Sequence, residues 1–294
     1  MSEPGSTRPR LDPLARRSWT DLGPRLASAA VLLLIAAIGL YLGGIIFGAI
    51  VGAAFAGCYR EWERMVTLQP LTPVGAVLIG LVGLSALAYP WFGLFGTTGI
   101  VVAAMLVATV AAGPRSWRVA GLLFYGIVIV AIMALRGRAT WDVPGSFDAG
   151  LWGGLFLGTV IWATDTGAYF TGRQVGGEKL APDISPGKTW SGAIGGFALG
   201  TLAGLVLWLL IVPVSPWWIG LVLAASTSIL GQAGDLAESA IKRRFRVKDS
   251  GDIIPGHGGL MDRLDSLTFG AIFLFAVGLL HAGYDAIASG VLLW

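Results

Sequence analysis

Charge is scarce in this chain. Of its 294 residues only 13% are Asp, Glu, Lys or Arg, while 55% are apolar. Soluble domains carry about 25% charged and 45–50% apolar residues, so an ordinary water-soluble globule is excluded. Cysteine is scarcer still. Cys58 stands alone, which excludes an intrachain disulfide framework. It lies inside an apolar run and reads as a packing residue. Phe55-Ala56-Gly57-Cys58 makes a poor lipoprotein site, because Phe is unsuited there and the cysteine lies too deep in the chain. The two histidines, His257 and His281, leave no His/Cys set for zinc. A clear internal repeat is absent, and with it the usual mark of an inverted-repeat transporter. The first apolar run is long, follows a polar tail and precedes many more, so it is expected to span rather than to be a cleaved secretory signal.

What the chain has in abundance is apolar runs near 20 residues, the length needed to cross about 30 Å of hydrocarbon. Its 44 glycines fit, since small residues let membrane helices approach closely. The expected fold is all-α, a polytopic integral membrane protein of about nine transmembrane helices with a cytoplasmic N-terminus. Residues 1–24, rich in Pro, Ser, Arg and Gly, read as a disordered cytoplasmic tail. Residues 25–135 form an N-terminal transmembrane scaffold. Residues 136–294 form a C-terminal region with cytoplasmic loops at 171–190 and 235–266. The spans are expected at 26–58 (two helices, broken near Gly43-Gly44), 72–89, 91–112, 117–135, 151–170, 191–212, 216–234 and 267–289. With that topology 18 of the 20 basic residues face inward, and only Arg136 and Arg138 fall outside.

The polar residues gather in the two long loops. Asp262 and Asp265 are three apart and share a face if helical, and Asp235 ends a span close by in the chain. Ionisable groups at membrane depth are costly and usually functional. Hard carboxylate oxygens suit Mg²⁺, so Asp235, Asp262 and Asp265 are candidate metal ligands; helix-end capping is the plainer alternative. A cationic run, Lys242, Arg243, Arg244, Arg246 and Lys248, either clamps phosphates or meets anionic headgroups. Pro255-Gly256-His257-Gly258-Gly259 is a tight turn whose amides can approach an anion. His257 there either orients a phosphate and carries a proton, or bonds the backbone. His281, inside the last span, reads as structural.

In the first loop, Ser185-Pro186-Gly187-Lys188-Thr189-Trp190 contains Gly-Lys-Thr but lacks the P-loop spacing, because Pro182 stands where the motif's first glycine belongs. A lysine and hydroxyls beside a helix start still suit phosphate, and Arg173 adds charge nearby. Asp165, within a span, is either a site residue or a helix–helix hydrogen-bond partner.

Ser239, Lys242-Arg243, Lys248-Asp249, Pro255 to Gly259 and Asp262-Arg263-Leu264-Asp265 together resemble the signature of the phosphatidate cytidylyltransferases. Gly234-Asp235-Leu236, Glu238 and Asp165-Thr166 with Ala168-Tyr169 are also similar to that family. The likeness is specific from about Asp165 to Ser266; the earlier spans match only in being hydrophobic. One departure stands out: Gly187 and Ser191 occupy positions where the family often has Lys and Glu, so Lys188 supplies that charge alone. The resemblance implies CTP + phosphatidate → CDP-diacylglycerol + pyrophosphate, in phospholipid biosynthesis. It implies Asp235, Asp262, Lys248 and His257 as catalytic groups. Arg173, Ser185, Lys188, Thr189, Ser239, Lys242, Arg243, Arg263 and Asp165 would contact the substrate phosphates. It also implies Mg²⁺, with a second metal or a monovalent cation left open. The partners would be CTP, phosphatidic acid and the lipid bilayer, with a homodimer allowed and no nucleic acid. The expected location is a bacterial inner membrane, with the active site facing the cytoplasm. Two rivals stand beside this reading: a CTP-dependent lipid kinase, which would move the γ-phosphoryl group, and a membrane transporter, with Asp165 and Asp235 as ion sites. A CDP-alcohol phosphotransferase is disfavoured, since its spaced aspartate motif is missing.

Overall fold

The computed structural model describes residues 22–137, 147–212, 214–251, 253 and 258–294, with side chains from residue 30 onward. Most of the expected tail (1–21), Arg138 and His257 lie outside the described residues. The chain runs through α1 (Leu22–Leu42), α2 (Gly44–Thr67), α3 (Pro73–Val110), α4 (Arg115–Arg136), α5 (Ala149–Gln174), α6 (Trp190–Ile211), α7 (Trp217–Arg244), α8 (Met261–Ala282) and a short α9 (Ile287–Leu292). A two-stranded antiparallel hairpin, β1 (Lys179–Ala181) and β2 (Ser185–Thr189), interrupts the helices in the segment read as a plain loop.

By length and composition six of the described helices can cross a membrane: α2, α3, α4, α6, α7 and α8. The boundaries follow local chemistry. The break between α1 and α2 falls at Gly43, whose positive φ of 63° suits only glycine well. Among the described residues, helix α1 already covers 22–24, which the sequence reading placed in the tail. Thr72 caps α3 by accepting the Gly75 amide, with Pro73 in the first turn.

The stretches expected as the third and fourth spans are two helices that run together as α3 and break close to the expected boundary. α3 carries Pro90 and leaves helical geometry at Gly93 (φ 56°, ψ −147°). The Thr97 hydroxyl donates to the Ser85 carbonyl at 2.9 Å. Twelve residues along a straight helix would separate them by about 18 Å, so the chain doubles back at this kink.

Two apolar clusters fill the interior. One joins α2, α3 and α4 around Phe55, Tyr59, Trp62, Leu78, Leu122 and Tyr125. The other joins α5, α6, α7, α8 and α9 around Phe156, Val160, Trp208, Leu223 and Leu274. Close backbone contact lets α2 meet α3: a Cβ at Gly52 would lie 2.6 Å from the Gly83 carbonyl oxygen. At the end of the chain the His281 imidazole stacks on Trp294 with 3.9 Å between centroids, and its Nδ1 lies 2.8 Å from the Gly290 carbonyl. His281 is therefore a packing residue.

α4 carries a buried arginine at each end. Their 18-residue separation corresponds to about 27 Å of helix. Arg136 bonds Asp148 and the Leu40 and Tyr41 carbonyls. Arg118 donates from Nε and Nη2 to the Glu63 carboxylate at 2.6–3.1 Å, and from Nη1 to the Ala112 carbonyl. Both partners of that pair are 2% exposed or less. Removing one member of a buried pair strands the other charge, a loss of about 3–5 kcal/mol. Arg118→Met is expected to lower the thermal midpoint of the detergent-solubilised protein accordingly. The double variant Arg118→Met/Glu63→Met should recover most of the loss. A single variant as stable as the parent would show that the pair contributes nothing.

Candidate active site

The segment expected as a loop from residue 235 starts as helix. Leu236 to Arg244 are mostly strong helix formers with no breaker among them, and α7 continues until Arg246 takes a positive φ of 58°. Asp235, Ser239 and Lys242 therefore follow one another at i, i+4 and i+7 on one face. α8 likewise begins at Met261, earlier than expected, which sets Asp262 and Asp265 in its first two turns. The polar connection shrinks to residues 245–260.

These helix ends meet the start of α6 and the end of α5 around a cavity of about 790 Å³, within the usual range for ligand sites. Five carboxylates line it: Asp165 from α5, Asp235 from α7, Asp249 from the connection, and Asp262 and Asp265 from α8. Four cations join them: Arg173, Lys188, Lys242 and Arg263.

The cations tie separate elements together. Lys188, from β2, bonds Asp235 Oδ2 at 2.5 Å. Lys242, from α7, bonds Asp262 Oδ1 on α8. Lys242 also lies 3.0 Å from Glu238 Oε1, a charge contact outside hydrogen-bond alignment. Asp262 Oδ2 accepts from the Ser250 amide (3.1 Å), the Ser250 hydroxyl (2.9 Å) and the Gly259 amide (3.2 Å). Asp265 Oδ1 accepts the Ser266 amide at 2.7 Å. Thr189 lines the cavity while its hydroxyl caps α6 through the Gly192 amide. That cap points the preceding lysine toward α7.

Most of the expected site residues gather here: Asp165, Arg173, Lys188, Thr189, Asp235, Lys242, Asp262, Arg263 and Asp265. Others stand apart. Within the basic run only Lys242 lines the cavity. Arg243 donates to the Ile184 and Val247 carbonyls, bracing the hairpin turn. Arg244 lies over the Trp117 ring at 5.8 Å, and Lys248 is exposed. Ser185 opens β2 opposite Ala181. The Ser239 hydroxyl is 3.5 Å from Asp235 Oδ1, a marginal contact. Sequence reasoning did not single out Ser250, Gln232, Asp249 as a wall residue, or Glu61, which reaches this region from α2. Chain spacing carries no sign of Glu61, because 189 residues separate it from Ser250.

Charge-assisted bonds contribute about 1.5–3 kcal/mol, or roughly tenfold in affinity per 1.4 kcal/mol. Lys188→Met is therefore expected to weaken binding of a polyphosphate anion such as pyrophosphate by about tenfold or more. Arg243→Met, which loses only carbonyl contacts, should change it far less. Calorimetric titration of both variants checks this, and equal losses would contradict the placement.

Comparison with known proteins places the chain beside cytidylyltransferases. The profile of the family described as the cytidylyltransferase family matches residues 24–281. A phosphatidate cytidylyltransferase from Brucella abortus is 44% identical over 195 residues, covering 66% of this chain and 69% of that protein. The phosphatidate cytidylyltransferase of Brucella suis is 44% identical over 191 residues, 64% and 67% of the two chains. That of Bacillus subtilis is 47% identical over 116 residues, 40% and 43% of the two chains.

Proposed function

Because the chain belongs to the cytidylyltransferase family, we propose that it makes CDP-diacylglycerol and pyrophosphate from CTP and phosphatidate. The observation that carries this reading is the cavity: carboxylates from three helices and cations from four elements converge at one end of an apolar bundle. Such a wall suits two polyanions that must be brought together.

The lipid phosphate is already anionic and needs no strong base. Its oxygen attacks the α-phosphorus of CTP, forming one O–P bond. The bond from that phosphorus to the bridging oxygen breaks, and pyrophosphate leaves with the electron pair. Arg173, Lys188, Lys242 and Arg263 bind and orient the phosphates. Positioning and charge stabilisation supply the rate, as in other phosphoryl transfers.

The donor set tests whether Mg²⁺ fits. Five hard carboxylates line the cavity, although among the described residues no three acidic, His or Cys side chains already form a metal cluster. Asp235 and Asp262 instead hold lysine ammonium groups. The chemistry of the donors fits, and Asp235, Asp262 and Asp265 would hold the ion. Bound there, Mg²⁺ would supply positive charge to the α- and leaving phosphates. Lys188 and Lys242, released from their carboxylates, would then be free to contact the phosphates.

The protein is a membrane protein, supported by its apolar helices and its relatives. We place the site on the cytoplasmic side of an inner membrane, where CTP and the lipid headgroup can meet. We likewise infer nine crossings with the N-terminus inside, and the distribution of Lys and Arg supports both readings. A homodimer is compatible with it.

Detergent-solubilised protein given phosphatidate, Mg²⁺ and CTP labelled at the α-phosphate is expected to put label into lipid, and chelation of Mg²⁺ should stop it. Asp235→Asn and Asp262→Asn should each slow the transfer by about a hundredfold or more, the scale of losing one preorganised electrostatic contact. Label entering only from the γ-phosphate would favour the lipid kinase; no label from either would favour transport.

A further inference from the structure

α8 begins without a cap of its own. Leu260 occupies the N-cap position, and no side chain next to it in sequence accepts the first amides. The first amides of a helix lack intrahelical partners, and leucine cannot serve them. The acceptor comes from the other end of the chain. Glu61, on α2 and 1% exposed, accepts the Leu260 amide at 2.9 Å through Oε1 and the Met261 amide at 2.8 Å through Oε2. Its Oε2 also lies 2.9 Å from the Ser250 hydroxyl. That hydroxyl is equally 2.9 Å from Asp262 Oδ2, so it bridges the two carboxylates. The amides at the start of α8 also carry partial positive charge, which favours an anion there.

The packing around Glu61 leaves no slack. A Cβ at Gly251 would lie 2.6 Å from Glu61 Oε1, and one at Gly259 would lie 2.8 Å from Oε2 and 1.9 Å from the Ser250 hydroxyl oxygen. Two points of the connection, Gly251 and Gly259, therefore close directly over the carboxylate. α2 is held at the two residues that follow Glu61. Trp62 donates to the Trp117 carbonyl at 2.9 Å, and Glu63 takes Arg118. Glu61 is thus a fixed post between the N-terminal bundle and the helix that presents Asp262, Arg263 and Asp265 to the cavity.

We infer that Glu61 is a positioning residue for the transfer reaction. By capping α8 and sharing Ser250 with Asp262, it sets the register of the acidic wall of the cavity, although it does not line that cavity. The inference rests on the cytidylyl-transfer reading. Displacing a reacting constellation by about 1 Å can cost roughly a hundredfold in rate.

The test uses the full chain in detergent or nanodiscs. Glu61→Gln keeps the shape but gives one carboxylate oxygen's place to an amide donor that faces other donors. The expected result is kcat lower by about ten- to a hundredfold, KM for CTP nearly unchanged, and faster amide hydrogen exchange confined to residues 258–262. Glu61→Asp should recover part of kcat. Glu63→Gln, a neighbour on α2 with a structural role, should lower the unfolding temperature and leave kcat per folded molecule unchanged. A Glu61→Gln variant with parental kcat overturns the inference, as does one whose activity loss is matched by loss of folded protein. If Glu61→Gln does not fold, Ser250→Ala carries the test: kcat must fall with stability retained, and an unchanged kcat overturns the inference. Absence of transfer by the parent protein would count against the reaction itself. Hydrogen exchange at 258–262 would still decide whether Glu61 holds the start of α8.

Discussion

Carboxylates crowded at the end of an apolar bundle repel one another strongly, because the surrounding dielectric is low. Every other feature of this site follows from how that repulsion is relieved. Three of the carboxylates take partners from other elements: Asp235 from β2, Asp262 from α7 and the connection, Glu61 from the start of α8. Neutralising the charges and assembling the elements are thus the same event. The bridge from Lys188 to Asp235 pins the hairpin to α7, and the bridge from Lys242 to Asp262 pins α7 to α8.

Exchangeable partners suit a binding site better than permanent ones. Lys188 and Asp235 are partly exposed, so their bridge can open at modest cost. The pair of Arg118 and Glu63 differs in kind. It is buried, bidentate and does not line the cavity, and its role is to hold α2 against α4. The molecule therefore separates two uses of ion pairing: fixed pairs within the scaffold, and openable ones where phosphates are to bind.

The N-terminal helices take on a defined part in this arrangement. The family profile reaches them from residue 24, yet composition alone assigns them no task beyond filling a membrane. Through Glu61 they reach the connection that carries Ser250 and Gly259, and so the geometry of Asp262. An enzyme that joins a water-soluble nucleotide to a lipid needs a rigid wall at the interface, and a helix end capped from a separate bundle provides one.

Much of this was legible in the residues themselves. Apolar runs of membrane length and the paucity of charge determined a helical membrane protein, because no other regular structure of this composition satisfies its backbone in lipid. The clustered carboxylates Asp235, Asp262 and Asp265 stood out by position, and the family resemblance added Lys242 and Arg263, since that chemistry is local in sequence. Helix propensity through Leu236 to Arg244 was also present, although the polar composition disguised it as loop. Other features had no local signal. The turning of Arg243 onto carbonyls rather than into the cavity, and the choice of Lys242 alone from a run of five cations, depend on which neighbours each side chain meets. Glu61 is the clearest case. In sequence it is one acid in an Arg-Glu-Trp-Glu-Arg stretch, and only tertiary structure, by bringing α2 to the uncapped start of α8, decided that it would serve amides about two hundred residues away.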